Sequence, residues 1–176
     1  MNRKQQKFGR IYDKYVESIY RFIFIKVSSH ETAEDLTSEV FLKSWQVFQS
    51  SETRKSKREK IRNPRAFLYA TARNLVIDFY RTKKRDKILS IEEAKEIEDI
   101  EQRIEEKEKV RSDLALIQKR LNSLKEDYQN VIIWRYVDGL SIREIAKILD
   151  KSPGTVRVLL HRAMKQLKEQ LDVVKK

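Results

Sequence analysis

Apolar residues recur at steps of three and four positions along most of the chain, as one face of an amphipathic helix requires. One such stretch runs from Phe8 to Val27, and a second follows the polar break at residues 28–30 and continues to about Phe48. A third begins after Pro64 and carries its apolar stripe to Phe79. The pattern predicts three helices that form a first helical module.

Clearer helix start and stop signals in the C-terminal third predict a second helical module. Gly139 is a helix stop, because glycine readily adopts the left-handed backbone of a C-terminal cap. Ser141 and Glu144 have the spacing of a capping box, and Ser152 followed by Pro153 is typical of a helix start. The predicted helices are 110–124, 126–137, 141–149 and 152–171.

The two modules are separated by a segment of opposite charge. Residues 86–113 carry a net charge of −5, whereas the whole chain carries +12. Ile97, Ile100 and Ile104 keep a helical spacing within this acidic segment, so it is either an amphipathic helix or a tether. We therefore predict an all-α fold with two small helical domains joined by a charged linker.

Composition narrows the class of function. A pI near 9.8 creates a positive field that attracts phosphate backbones, and nucleic acid is the favoured partner. The sequence contains no apolar run of about 18 residues and no secretory signal pattern, so we expect a cytoplasmic protein without membrane insertion. With no cysteine and two histidines, hydrolytic or metal catalysis is disfavoured, and we expect no metal site and no cofactor.

Residues 141–167 match the pattern of a helix-turn-helix, the C-terminal domain's predicted DNA reader. Ile142, Ile145, Ala146 and Leu149 face inward against Val156, Leu160 and Ala163. The opposite face of the second helix is therefore directed towards solvent. In helix-turn-helix proteins, the N-terminal half of this helix enters a major groove. An ordinary amphipathic helix with a solvated basic face is the alternative. The residues predicted to face DNA are Thr155, Arg157, Val158, His161, Arg162 and Lys165.

Two further surfaces of the first module contain residue types that are typical of binding surfaces. Residues 62–85 mix basic and aromatic side chains, which suit the phosphate and stacking contacts of single-stranded nucleic acid. Phe67 and Tyr69 are equally consistent with core positions. On the second helix, Glu34, Asp35 and Glu39 form an acidic patch beside Phe41 and Trp45. A partner protein or solvent alone is compatible with that patch.

Three segments in this order resemble the extracytoplasmic-function sigma factors of bacterial RNA polymerase. They are AEDLTSEVFLKSW, NPRAFLYATARNLVIDFYR and LNSLKEDYQNVIIWRYVDGLSIREIAKILDKSPGTVRVLLHRAMKQL. The likeness covers nearly the whole chain apart from the linker.

The resemblance implies three regions. Residues 1–88 would bind core RNA polymerase, at the clamp helices of its largest subunit, and the −10 promoter element. Residues 89–111 would be the acidic linker, and 112–176 would bind the −35 element beside the polymerase flap. An anti-sigma factor is a further candidate partner, and no catalytic residue is implied.

The resemblance also assigns residues to contacts in the first region. The loop before Pro64 would shape a pocket for a flipped base. Polymerase contacts would fall on Asp35, Ser38, Glu39 and Phe41. Contacts to the single −10 strand would fall on Arg65, Arg73, Asn74, Asp78, Arg81 and Lys83.

Two departures from the family pattern affect specificity. Ser38 stands where glutamine is usual, which weakens one polar contact to polymerase. Val158 replaces a commonly polar or basic residue and suggests contact with a thymine methyl group. The competing interpretation is a free-standing helix-turn-helix regulator, whose first module only dimerises or senses. A third option is an RNA-binding or membrane-surface helical protein.

Overall fold

A computed structural model describes residues 3–50, 63–89 and 119–172, and their regular elements are all helical. The first module consists of α1 (Arg3–Val27), α2 (His30–Ser50) and α3 (Pro64–Leu89). After helical residues 119–123, the second module consists of α4 (Glu126–Ile132), a π-helical turn (Ile133–Val137), α5 (Ile142–Leu149) and α6 (Pro153–Asp172). The all-α prediction is confirmed.

Some predicted features lie outside the described residues. The basic loop before Pro64 falls almost wholly within residues 51–62, and most of the acidic linker falls within residues 90–118. The first part of the helix predicted at 110–124 lies in the same range.

The three helices of the first module surround an apolar core, because each contributes the stripe that its spacing predicts. Ile19 and Phe22 of α1, Val40 of α2 and Leu68 of α3 are fully or almost fully buried. Tyr12 lies at the rim of this core, where it is 45% exposed and its ring packs edge-on against Phe41.

The predicted punctuation of the second module is present. The Ser141 hydroxyl accepts from the Glu144 amide, while the Glu144 carboxylate accepts from the Ser141 amide at 2.8 Å, which completes the capping box. Gly139 has a φ of +65°, and Ser152 Oγ accepts from the Thr155 amide at 3.1 Å. Asp150 adopts the left-handed conformation that turns the chain from α5 to α6.

The two modules pack directly against each other around Trp134. This side chain has no exposed surface, and its ring lies 5.6 Å from Phe22 and 6.1 Å from Tyr69 between ring centroids. Aromatic pairs at such distances stabilise a core beyond simple area burial. The second module is therefore anchored by one aromatic side chain in the core of the first.

The described part of the chain lacks both a membrane-crossing helix and a cluster of metal-ligating side chains. Within residues 3–50, 63–89 and 119–172, no helix combines the length and apolar character that a membrane crossing needs. The same residues contain no group of three or more His, Asp or Glu side chains placed to hold a metal ion.

Candidate nucleic-acid and polymerase interfaces

The recognition helix predicted from the sequence is α6, and its first turns are open to solvent. Val156, Leu160 and Ala163 fix its orientation, because they are buried against α5 and α4. The polar and charged side chains between them consequently point outward. All six residues predicted to face DNA are exposed on this helix: Thr155, Arg157, Val158, His161, Arg162 and Lys165.

Within the described residues, the two arginines of α6 have no ion-pair partner. Lys165 lies 4.0 Å from Glu169 one turn on, and Thr155 shares a hydroxyl contact of 2.9 Å with Ser152 at the cap. Arg157 and Arg162 therefore keep the planar N–H fork that bonds guanine O6 and N7 in a major groove.

The predicted strand-binding residues all lie on α3 but in two different environments. Asn74, Asp78, Arg81 and Lys83 are exposed. Arg81 is 3.8 Å from Asp78, and Lys83 lies over the Phe79 ring at 5.8 Å. Such exposed contacts contribute little energy, so Asp78, Arg81 and Lys83 can exchange partners readily.

Arg65, at the start of α3, is held by the second module. Its Nη1 donates to Glu144 Oε1 at 2.7 Å, and its Nη2 donates to the backbone oxygen of Asp138 at 3.3 Å. The pKa of Glu144 is lowered, mainly because its carboxylate accepts the Ser141 amide and further because Arg65 lies beside it. The carboxylate is consequently ionised at neutral pH.

Arg73, two turns further along α3, contacts two carboxylates of the second module. Its Nη2 donates to Asp127 Oδ1 at 3.1 Å, and its Nε lies 3.5 Å from Glu126 Oε1. Both acids occupy the first turn of α4, where the positive end of the helix dipole favours negative charge. Two of the six predicted strand-binding residues are thus occupied by acids of the second module.

A third ion pair joins α1 to the end of the π-helical turn. Arg21 donates through Nε and Nη2 to Asp138 Oδ1, at 3.1 and 2.8 Å. The Asp138 side chain is fully buried, and burial raises its pKa, while the Arg21 and Arg65 guanidinium groups act in the opposite direction.

Lys26 is a buried cation between the modules. Only 4% of the residue is exposed, and its Nζ donates to Asn130 Oδ1 of α4 at 3.0 Å. The Tyr80 hydroxyl donates to the Lys26 backbone oxygen at 2.6 Å. Desolvation by burial lowers the pKa of Lys26 to about 8, with Glu126 opposing the shift.

The predicted polymerase residues on α2 differ in exposure, from open to solvent at Asp35 to nearly buried at Phe41. Asp35 and Ser38 are open to solvent, and Glu39 pairs with Lys43 at 2.9 Å. Phe41 is only 5% exposed and packs against α1, and it lines the apolar groove beside these side chains.

An apolar groove beside these acids was not predicted. It has a volume of about 560 Å³ between α1 and α2, and its wall includes Phe8, Tyr12 and Trp45. Leu42 lines the groove and is 57% exposed. With Asp35, Ser38 and Glu39, Leu42 completes one helical face at spacings of three and four. This spacing was visible in the sequence.

Sequence reasoning also missed the contacts between modules. No local pattern pointed to Arg21, Lys26 or Asp138, because contacts between residues more than 100 positions apart leave no trace among sequence neighbours. Tyr69, weighed as either a stacking platform or a core residue, is fully buried against Trp134 and is a core residue.

Two protein-family models match the chain. Sigma-70 region 2 matches residues 11–86, and Sigma-70, region 4 matches residues 114–167. The first match covers most of α1, all of α2 and most of α3, and the second covers the helix-turn-helix.

Curated relatives cover most of the chain. It is 30% identical to the ECF RNA polymerase sigma factor SigW of Bacillus subtilis over 95% of this chain and 90% of SigW. It is 29% identical to the ECF RNA polymerase sigma factor BldN of Streptomyces coelicolor over 91% of this chain, which spans 58% of BldN's length.

Solved structures give the same likeness. The sigma factor RpoE from Bartonella quintana, in complex with the anti-sigma factor NepR, has a TM-score of 0.64 and 25% identity, covering 96% of this chain and 98% of the matched one. CnrH, in complex with the cytosolic domain of CnrY, has a TM-score of 0.67 at 20% identity and the fold in common, covering 96% of this chain and 90% of the matched one.

Proposed function

Because the chain belongs to the extracytoplasmic-function RNA polymerase sigma factors, we propose that it binds core polymerase, recognises −10 and −35 promoter elements and promotes DNA melting. One observation carries the proposal. The same chain has an exposed recognition helix on one module and, on the other, side chains suited to single-stranded DNA together with an acidic face. A duplex-binding regulator needs only the first of these.

The second module supplies recognition of paired bases. Arg157 and Arg162 are exposed on the half of α6 that enters a major groove in helix-turn-helix proteins. Each bidentate contact to guanine would discriminate by about 1–3 kcal/mol. Val158, at 49% exposure, offers an apolar contact to a thymine methyl group.

The first module supplies recognition of unpaired bases. Asn74 is an exposed amide that can bond a base edge, and Arg81 and Lys83 on the following turns can follow the phosphates. Arg65 and Arg73 join this row once they leave the second module. Capture of extruded bases here would offset part of the stacking and pairing energy lost on melting.

The polymerase contact is the acidic and apolar face of α2. Asp35, Ser38 and Glu39 provide charge and polarity, while Leu42 and the adjoining groove provide an apolar surface. A helical partner with a basic and apolar face fits this combination, as interfaces commonly join an apolar centre to a charged rim. We assign the clamp helices of the polymerase's largest subunit to it.

The remaining assignments follow from the same proposal. Residues 1–88 act as the −10 and polymerase-binding domain, 89–111 as the linker and 112–176 as the −35-binding domain. The protein works in the cytoplasm as a non-enzymatic initiation factor. An anti-sigma factor is a further partner, supported by the solved complex of the sigma factor RpoE with the anti-sigma factor NepR.

The test is a double charge reversal on α2. Asp35→Lys with Glu39→Lys should lower the affinity for core polymerase at least tenfold, because two attractive charges become repulsive at the interface. Affinity is measured by fluorescence anisotropy of the labelled chain titrated with core polymerase. Promoter melting by the same complexes is followed by permanganate reactivity of thymines.

The matched control reverses Asp13 and Glu17, two exposed acids of α1 outside the groove, and should retain polymerase affinity. Equal affinity for both double variants would move the interface elsewhere. If the unmodified chain binds promoter duplex without core polymerase and ignores the enzyme, the free-standing regulator is the correct function.

A further inference from the structure

We infer that the cavity between α1, α3 and residues 122–129 is a binding site for a small organic anion of the aromatic carboxylate class. The cavity has a volume of about 610 Å³. Sites for small molecules commonly have volumes of about 300–1,000 Å³ and occur preferentially where two domains meet. The proposed contacts with promoter and polymerase use none of the buried residues of this cavity, so the inference goes beyond those functions.

The buried wall of the cavity is mostly apolar. Val76 is 2% exposed and Leu124 is 4% exposed, and both line the space. The Tyr80 ring lines the same space, while its hydroxyl donates to the backbone oxygen of Lys26 at 2.6 Å. Aliphatic surface and one aromatic ring are best covered by a flat apolar body, because aromatic rings gain from offset or edge-on contact with each other.

Lys26 supplies donors at the buried end of the cavity. An ammonium group carries three N–H donors, and within the described residues that of Lys26 makes one hydrogen bond, to Asn130 Oδ1 at 3.0 Å. Gln129, also buried, uses its amide N–H groups on the backbone oxygens of Asn122 and Leu124. A buried cation with few acceptors is costly, and a carboxylate supplies both acceptors and opposite charge. The anionic end of the occupant therefore belongs beside Lys26.

The open end of the cavity is basic. Arg81 and Lys84 line it and are exposed. Together with Lys26 they give three cations against one acid, Glu126, whose carboxylate already lies 3.5 Å from Arg73 Nε. A cleft lined mainly by one sign of charge raises the local concentration of ligands of the opposite sign. The lining therefore favours anions over neutral molecules of the same shape.

The test titrates 2-naphthoate against the full chain at pH 7 and follows binding by the broadening of the compound's proton NMR signals. We expect a dissociation constant of roughly 1 mM or lower, the value that ordinary ligand efficiency gives for about 13 heavy atoms. The neutral isostere 2-naphthamide should bind at least about tenfold more weakly, because it gives Lys26 no counter-charge. Equal affinity for the two compounds would overturn the anion site.

Lys26→Met tests the buried end of the site. This variant should bind 2-naphthoate at least about tenfold more weakly and 2-naphthamide with little change, because only the carboxylate depends on the ammonium group. Lys14→Met removes an exposed lysine from the same helix and should leave both affinities unchanged. Full affinity for 2-naphthoate in Lys26→Met would show that the compound binds elsewhere.

Arg81→Gln tests the open end and leaves the core intact, since Arg81 is exposed. It should weaken 2-naphthoate by about threefold, because one of the cations that attract the carboxylate is lost. Arg10→Gln removes an exposed arginine of α1 outside the cavity and is the matched control. Equal affinity for the two arginine variants would contradict the site even if Lys26→Met failed to fold.

The pH dependence of binding separates a charged Lys26 from a neutral one. Burial lowers the pKa of this amine to about 8, with Glu126 and Asp127 opposing the shift and Arg73 adding to it. Since the carboxylate binds the protonated amine, affinity for 2-naphthoate should fall as pH rises through 8, whereas affinity for 2-naphthamide should not. The same pH profile for both compounds would overturn the role of Lys26.

Discussion

The two predicted DNA-binding surfaces differ in what they touch. On α6, Arg157 and Arg162 face solvent, whereas on α3, Arg65 and Arg73 are held by carboxylates of the other module. The surface that would read a duplex is therefore ready in the free chain, and the surface that would hold an unpaired strand is partly occupied. This difference matches the order of initiation, in which double-stranded promoter is met before any strand is exposed.

The difference depends on packing between modules, and Trp134 is its main anchor. Trp134→Ala removes an aromatic ring with no exposed surface from between Phe22 and Tyr69. We expect unfolding to become easier by about 3–5 kcal/mol, the usual cost of such a truncation. Denaturant unfolding followed by circular dichroism measures this loss.

Trp134→Ala should also release Arg65 and Arg73 from the second module. The surface on α3 would then be as accessible to DNA as the surface on α6. Tyr136→Ala, a change at a largely exposed ring in the same π-helical turn, is the control and should leave stability within about 0.5 kcal/mol. A stable Trp134→Ala chain with unchanged packing would show that the ion pairs alone hold the modules.

A second prediction uses the buried lysine at the module interface. Because burial lowers the pKa of Lys26 from 10.5 to about 8, the packed chain favours neutral lysine. Packing should gain stability as pH rises through 8 towards 10.5, by up to about 3 kcal/mol, and lose it as pH falls back through 8. The measurement is the free energy of unfolding at pH 7.5, 9 and 10 for the unmodified chain and for Lys26→Met.

The gain should be missing from Lys26→Met and present in Lys14→Met, which removes an exposed lysine from the same helix. Parallel pH curves for the unmodified chain and Lys26→Met would contradict the burial of a charged amine at the interface.

A third prediction sharpens the comparison from the side of α6. Arg162→Ala should weaken binding to a duplex −35 element by about 1–3 kcal/mol at one base pair. Binding of a single-stranded −10 oligonucleotide should not change, since Arg162 is exposed on the other module. Competition binding with single-base variants of the duplex measures the effect. If the base preference of the Arg162→Ala variant is unchanged, Arg162 contacts phosphate and not a base.

Local features of the fold were predictable from the sequence, and contacts over long range were not. The capping box at Ser141 and Glu144 and the stop at Gly139 are encoded within four residues, and the structure confirms them. Helical periodicity likewise placed Val156, Leu160 and Ala163 in the core. These signals depend on neighbours along the chain, so one sequence is sufficient to read them.

The candidate site was predictable only in part. Helical spacing placed the α6 residues in solvent, whereas the degree to which Phe41 is buried against α1 did not follow from the family resemblance. The partners of Arg65 and Arg73 lie 79 and 54 residues away in the chain. Periodicity within one helix carries no information about which distant carboxylate faces an arginine.

The π-helical turn at Ile133–Val137 lies between α4 and the helix-turn-helix of the second module. There the Asp138 amide bonds the Ile133 oxygen, five residues back, so this turn holds one residue more than an α-helical turn. Removing a single residue would rotate everything after it by about 100°, the angle per residue of an α-helix. Insertion or deletion of one codon in this turn would therefore change the orientation of the helix-turn-helix relative to Trp134.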